Sequence, residues 1–394
     1  MNRDDFLQLL SKEGQSLLSQ IDYNTKLDIV KTITKLRAQG HDPALVANAL
    51  SQAKLRKRAE TKFGEFAERM FFTEDALEQA SRLQVAALHA NRFKQAGVTE
   101  VADLGCGIGA ESLAFASLDL KVNAYELDEV TAAIAAYNLA IFENVEVSNE
   151  DVTKRDLSKH QALFFDPARR NSKARLFNPQ DFSPNFDWVI EQAKKKPSGI
   201  KLGPGHPHTQ IPEEAEAQWV SVDGDLVELS LWFNETRRQD ISRSALLITK
   251  DAKYELKTNE KEQPAPTGEL GQYIHEPDNA AIRSHLINLL AEETNTHTID
   301  PKIAYLSSNH EVNSPWLKSY KVIKEMPFDR KQLKAYVKAN EIGTLEIKKR
   351  GADITPEELR KELSPKGKKK ATLIVTRIGD AHRAIFVEPQ PVAE

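Results

Sequence analysis

The chain has 394 residues, a formal charge of −4, 40% hydrophobic and 28% charged content, the profile of an ordinary globular protein of two or three domains. A single cysteine, Cys106, excludes an intrachain disulfide and a multi-cysteine zinc site. No apolar run reaches the roughly 18 residues that span a bilayer, and the polar, acidic N-terminal segment lacks a signal-peptide core, so a cytoplasmic protein without membrane partners is expected. Charge is uneven: residues 301–394 carry 19 basic against 12 acidic side chains, a balance of +7 in a chain that nets −4. A basic C-terminal portion suits a polyanion partner or, equally, a solvated lysine-rich surface.

Residues 1–95 read as a helical N-terminal domain. Ile29, Val30, Ile33 and Leu36 fall at helical spacing, as do Leu45, Val46 and Leu50 after the cap and first-turn pair Asp42-Pro43. A capped start at Thr73-Glu74-Asp75 predicts one long helix to about residue 95. From Thr99 the pattern alternates strand and helix: strands 101–104, 121–125, 145–147, 162–165 and 199–202, with helices 110–117, 129–141 and 188–195 between them. Such alternation predicts a parallel, doubly wound sheet over residues 96–250. Segments 219–222, 226–233 and 245–249 leave no room for helices, and an edge hairpin accounts for some of them. Residues 251–315 read as a polar linker, with Pro264 and Pro266, followed by a helix over 279–293. In residues 316–394 the order is strand 320–324, helix 330–339, strand 344–348, helix 356–363, strands 372–375 and 384–387, which predicts a small ferredoxin-like α/β domain.

The chemistry concentrates in Asp103-Leu104-Gly105-Cys106-Gly107-Ile108-Gly109. Glycines let the backbone turn sharply and approach a ligand, and the helix that follows offers free N–H groups. Asp103 is placed to accept a hydrogen bond, directly or through water, from a cationic amino acid group such as that of S-adenosylmethionine. The run Gly105 to Ala110, with Glu126 about 20 residues on, also satisfies a dinucleotide fingerprint. Three features favour S-adenosylmethionine: the negative charge of Asp103, the third glycine Gly109, and Asp166-Pro167 after the fourth strand. In that sheet Glu126 would accept from both ribose hydroxyls, Leu127 would pack on adenine, and Asp151, in Asn149-Glu150-Asp151, would take the adenine amine; a solvated loop acid is the alternative for Asp151. Cys106 reads as a small residue tolerated between glycines. His206-Pro207-His208 lacks nearby carboxylate or cysteine partners, so no metal site is expected.

Further segments carry a resemblance: Met70-Phe71-Phe72-Thr73, Leu77-Glu78-Gln79-Ala80-Ser81, Phe165-Asp166-Pro167-Ala168-Arg169-Arg170, the run 219–228, Glu276-Pro277-Asp278 with Arg283, and Leu345-Glu346-Ile347-Lys348-Lys349-Arg350-Gly351. With the glycine loop they make the chain similar to class I S-adenosylmethionine-dependent methyltransferases with a C-terminal THUMP-like domain, related to the trimethylguanosine-synthase, or RNA cap guanine-N2 methyltransferase, class. The resemblance implies a Rossmann-like methyltransferase sheet, S-adenosylmethionine dependence and an RNA substrate, and places Phe71, Phe72 and Thr73 over the cofactor, with a core role as the alternative for the two phenylalanines. Asp166 and Pro167 would then be catalytic, orienting an acceptor such as a base amine for in-line transfer. Ala168 and Arg169 depart from the Pro-aromatic pair usual in amine methylation; Arg169 would stack on a base or hold a phosphate, with plain surface arginines as the alternative for Arg169 and Arg170. Lys366 to Lys370, with Lys348, Lys349 and Arg350, would contact an RNA backbone. The alternatives are a non-catalytic RNA-binding or assembly protein with this fold, and a methyltransferase acting on small molecules or proteins. Oligomeric state is not legible.

Overall fold

Helices at the N-terminus begin where the sequence supplies caps. Asn2 and Asp5 form a reciprocal capping box before α1 (Arg3–Leu10), and Ser11, Asp28 and Asp42 cap α2 (Lys12–Ser19), α3 (Ile29–Ala38) and α4 (Pro43–Phe63). The computed structural model describes residues 1–23, 27–168 and 181–390. They form two units, residues 1–202 with 231–238, and residues 203–230 with 239–394. Among the described residues no helix is long and apolar enough to cross a membrane.

In the first unit, Leu45, Val46, Ala49, Ala53 and Phe63 of α4 bury against Phe6, Leu9, Leu17 and Leu18, and the same core runs on through Phe71 and Phe72 to Ile108, Leu113, Ile134 and Leu139. The helix expected over 73–95 is two, α5 (Glu74–Gln79) and α6 (Leu83–Gln95). Ala80 turns extended between them, and the Lys62 amino group ends α5 by donating to the carbonyls of Leu77, Glu78 and Ala80 at 2.8, 2.9 and 2.7 Å. Strand β1 (Glu100–Leu104), α7 (Ala110–Ser117), β2 (Lys121–Glu126), α8 (Glu129–Leu139), β3 (Val145–Asn149), β4 (Ala162–Phe165), α9 (Phe186–Ala193) and β5 (Ser198–Leu202) follow. All four pairings are parallel, in the order β3-β2-β1-β4-β5. This is the doubly wound arrangement expected, and its strand order reverses between β1 and β4, where such sheets open a ligand crevice.

The second unit holds β6 (Glu216–Val222), residues 225–230 of β7 (Asp225–Phe233), β8 (Arg243–Ile248) and β9 (Lys253–Thr258), in the order β7-β6-β8-β9. The β6–β7 turn is Asp223-Gly224, both at positive φ, +51° and +86°, the two-residue hairpin geometry. β8 lies parallel to β6 and antiparallel to β9. β9 occupies a stretch expected to be linker; it is the sheet edge, where alternate side chains stay in water and the composition is polar.

A second sheet comprises β10 (Tyr273–Pro277), β11 (His297–Asp300), β12 (Ile303–Ser308), β13 (Leu317–Pro327), β14 (Ile342–Arg350), β15 (Lys369–Ile378) and β16 (Ala381–Pro389), in the order β11-β12-β10-β13-β16-β15-β14. The last four strands carry the expected βαβαββ order with α12 (Arg330–Ala339) and α13 (Pro356–Leu363). β10, β11 and β12 extend that sheet to seven strands and were not anticipated. The helix expected over 279–293 is α10 (Asn279–Arg283) and α11 (Ile287–Glu293), divided where His285 takes φ +58°.

Candidate active site

The loop between β1 and α7 is bent by glycines at φ +91° (Gly105), +56° (Gly107) and +90° (Gly109). At Gly109 a Cβ would stand 2.8 Å from Leu139 Cδ1, and at Gly105 it would stand 3.0 Å from the Asp166 carbonyl oxygen. Only glycine allows both the left-handed backbone and these approaches. Asn138 fixes the loop from behind: its Oδ1 accepts the Phe71 N–H at 2.8 Å, and its Nδ2 donates to the carbonyls of Phe71 and Ile108 at 3.1 and 3.0 Å.

Asp103, at the end of β1, is fully buried. Its Oδ2 accepts from Ser112 Oγ at 2.6 Å, while Oδ1 has no hydrogen-bond partner. Burial pushes its pKa up to about 8, because desolvation disfavours the charged form. An orphaned buried carboxyl oxygen beside a glycine turn fits a cationic amine. Cys106 is buried, and burial raises its thiol well above the usual range, which disfavours the thiolate.

Glu126, at the end of β2, clasps the loop: Oε2 accepts the Gly107 N–H at 3.0 Å and Oε1 the Asp128 N–H at 2.9 Å. Burial raises its pKa, and these N–H donors oppose the rise. Each oxygen keeps a second lone pair for a ligand hydroxyl. Leu127 is 61% exposed, an apolar surface available to a flat ring. Asp151 caps a short turn, with Oδ1 accepting from Thr153 N and Oγ1 at 3.1 and 2.6 Å and Oδ2 3.0 Å from Lys154 Nζ; these bonds lower its pKa.

A cleft of about 810 Å³ collects these groups. Gly105, Gly107, Glu126, Leu127, Asp151, Asp166 and Pro167 all line it, with Thr73 from the start of α5. The loop's other members, Asp103 and Gly109, stand behind that lining. Phe71 and Phe72 are fully buried in the core shared by the N-terminal helices and Ile108. Arg169 and Arg170 lie outside the described residues.

Two groups on the cleft wall were not singled out from the sequence. Lys201, near the end of β5, is buried, with Nζ 2.5 Å from Asp166 Oδ2 and 3.3 Å from the Gln79 carbonyl oxygen. Glu111, in the first turn of α7, accepts from Ser81 Oγ at 2.5 Å and lies 3.0 Å from His89 Nδ1. A lone lysine inside Ile200-Lys201-Leu202 gives no pattern to read; Glu111 was signalled only by its place in the first helical turn after the glycines.

Elsewhere, in the second unit, the His208 ring stacks on Trp219 and His285 at centroid distances of 4.9 and 4.0 Å. Burial pushes its pKa down to about 4, so it acts as a neutral packing ring. Lys348 and Arg350 turn to Glu276, at 2.9 and 3.8 Å, over the rings of Tyr320 and Tyr305. Of the basic residues expected to meet RNA, Lys349, Lys366, Lys368, Lys369 and Lys370 are exposed.

Residues 317–389 match the THUMP domain-like family, and residues 2–59 match DUF8688, a domain of unknown function. The chain is 29% identical over 338 residues, 82% of its length and 91% of the relative's, to an uncharacterised S-adenosylmethionine-dependent methyltransferase of Mycobacterium tuberculosis strain H37Rv. It is 40% identical over 67 residues, 17% of its length and 23% of the relative's, to ribosomal RNA small subunit methyltransferase A of Streptococcus pneumoniae strain R6. A crystal structure of a candidate methyltransferase from Porphyromonas gingivalis W83 shares the fold, with a TM-score of 0.72 at 18% identity over 94% of this chain and all of the other.

Proposed function

We propose that this chain, an S-adenosylmethionine-dependent methyltransferase with a THUMP-like C-terminal domain, transfers the methyl group to RNA. The observation that carries the RNA assignment is the THUMP-like match over residues 317–389, together with the exposed lysines at 366, 368, 369 and 370, a phosphate-seeking surface. Bound S-adenosylmethionine supplies an electrophilic methyl group on a sulfonium. Asp103 would hold its ammonium, the glycine loop would give its backbone close access, Glu126 would accept from the ribose hydroxyls, Leu127 would cover the adenine, and Asp151 would take the adenine amine. Asp166 and Pro167 would orient the acceptor. Positioning of this kind supplies most of the acceleration in an in-line displacement.

Labelled cofactor, the purified chain and total RNA from cells lacking the protein provide the test. Incorporation into RNA is expected. No incorporation, or label confined to a protein or small-molecule fraction, overturns the assignment.

A further inference from the structure

Asp166 is paired with a lysine, and this bears on what it can do for an acceptor. The pair joins the ends of neighbouring parallel strands β4 and β5. Both residues line the cleft that holds Gly105 and Glu126, and the Lys201 side chain is only 9% exposed. The Asp166 carbonyl oxygen abuts Gly105, so the pair stands against the cofactor loop.

An exocyclic amine, the acceptor of the trimethylguanosine-synthase class, gains positive charge as it attacks. It is helped by carbonyl oxygens or an uncompensated carboxylate. Lys201 neutralises Asp166 and brings a positive charge to the place where the amine would develop its own. A weakly acidic O–H or ring N–H has the opposite need: it must lose a proton, and an adjacent ammonium stabilises the anion that results.

We infer that Lys201 and Asp166 together activate an acidic acceptor on RNA, a ribose hydroxyl or a ring imide N–H, rather than an exocyclic amine. This rests on the RNA reading above. The acceptor's proton passes to the Asp166 carboxylate and on to water, while Lys201 holds the developing anion. The acceptor's lone pair forms the new bond to the methyl carbon as the carbon–sulfur bond breaks, and the electron pair of that broken bond stays on sulfur, leaving a neutral thioether. Lys201 works amid Asp103 on β1, Glu111 on α7, Lys62 on α4 and Asp166 after β4.

Two readouts test the inference. RNA labelled by the wild-type chain is digested and its methylated nucleosides are identified. Lys201→Met and Lys201→Arg are assayed from pH 6 to 9 alongside calorimetric affinity for S-adenosylhomocysteine. Label is expected on a ribose oxygen or ring nitrogen. Lys201→Met is expected to lower kcat about a hundredfold with thioether affinity within about twofold, and its residual rate to rise about tenfold per pH unit, because the acceptor's ionisation, no longer assisted by the ammonium, then follows the hydroxide concentration. Lys201→Arg recovers part of the rate by restoring the charge. Label on an exocyclic amine, or a Lys201→Met rate and pH profile equal to wild type, overturns the inference and leaves the RNA reading standing. No label in any RNA overturns the RNA reading and this inference with it.

Discussion

Replacing Asp103 by asparagine should weaken cofactor binding and stabilise the free protein, two effects of opposite sign. Burial lifts the Asp103 pKa from 3.8 to about 8. At pH 7 the carboxyl is therefore protonated when folded and ionised when unfolded, which costs about 4 kcal/mol of stability. The penalty is absent below the unfolded pKa, grows as pH rises from about 4 to about 8, and is constant above that. The Asp103→Asn change removes it but places an amide N–H₂ where Oδ1 has no partner, which returns about 1–3 kcal/mol. The net gain is on the order of 2 kcal/mol, or about 5 °C in melting temperature for a unit of this size. Cofactor affinity moves the other way. A charge-assisted bond to an ammonium is worth about 1.5–3 kcal/mol, so Asp103→Asn should weaken binding about 10- to 150-fold. Wild-type binding below pH 8 should release a proton that the variant does not release. Scanning calorimetry of the free proteins at pH 4, 6 and 8, with titration calorimetry of S-adenosylhomocysteine at pH 6, 7 and 8, measures both effects. An asparagine variant that melts at or below the wild type at pH 7 and binds within twofold of it would refute the reasoning.

Asn138→Leu leaves the Phe71 N–H and the Phe71 and Ile108 carbonyls without the partner that Asn138 gives them. It should destabilise the first unit by about 3 kcal/mol or more, visible as a drop in denaturation midpoint with unchanged m-value. Gly109→Ala adds a methyl 2.8 Å from Leu139 at φ +90°; a loss of about 1–3 kcal/mol is expected, partly relieved by adding Leu139→Ala, and a double-mutant cycle checks the coupling. Charge reversal at Lys366, Lys368 and Lys370 should weaken RNA binding most at low salt and flatten the slope of log affinity against log salt by about 2; an unchanged slope would remove these lysines from the RNA surface.

The glycine loop was legible because few residue types survive its constraints. A left-handed backbone at Gly105 and Gly109, with Leu139 and Asp166 at close range, admits glycine alone, and that demand is written directly in the sequence. Asp166 was legible from its place after an apolar strand. Lys201 was not, since its meaning lies in a partner 35 residues away. Strands β10 and β12 were hidden for a different reason. His275 is fully buried between Ser319 Oγ and Ser308 Oγ, at 2.9 and 3.0 Å, and Ser307 Oγ donates to the Tyr273 carbonyl. A core built on satisfied polar side chains lacks the apolar alternation that marks a strand.

The Asn138 bridge also constrains how this chain can be shortened or recombined. Residues 2–59 match a family model of their own, as a detachable module would. Yet Gln52 holds Phe72 through both its N–H and its carbonyl, and Asn138 ties Phe71 to Ile108 in the glycine loop. The N-terminal helices thus form the back wall of the cofactor loop. A chain starting at Thr73 would keep the residues that line the sheet side of the cleft and lose Phe71 and Phe72, through which the loop is held, so modules exchanged between relatives should work only when residues 1–202 and 231–238 stay together and no junction falls between the N-terminal helices and β1.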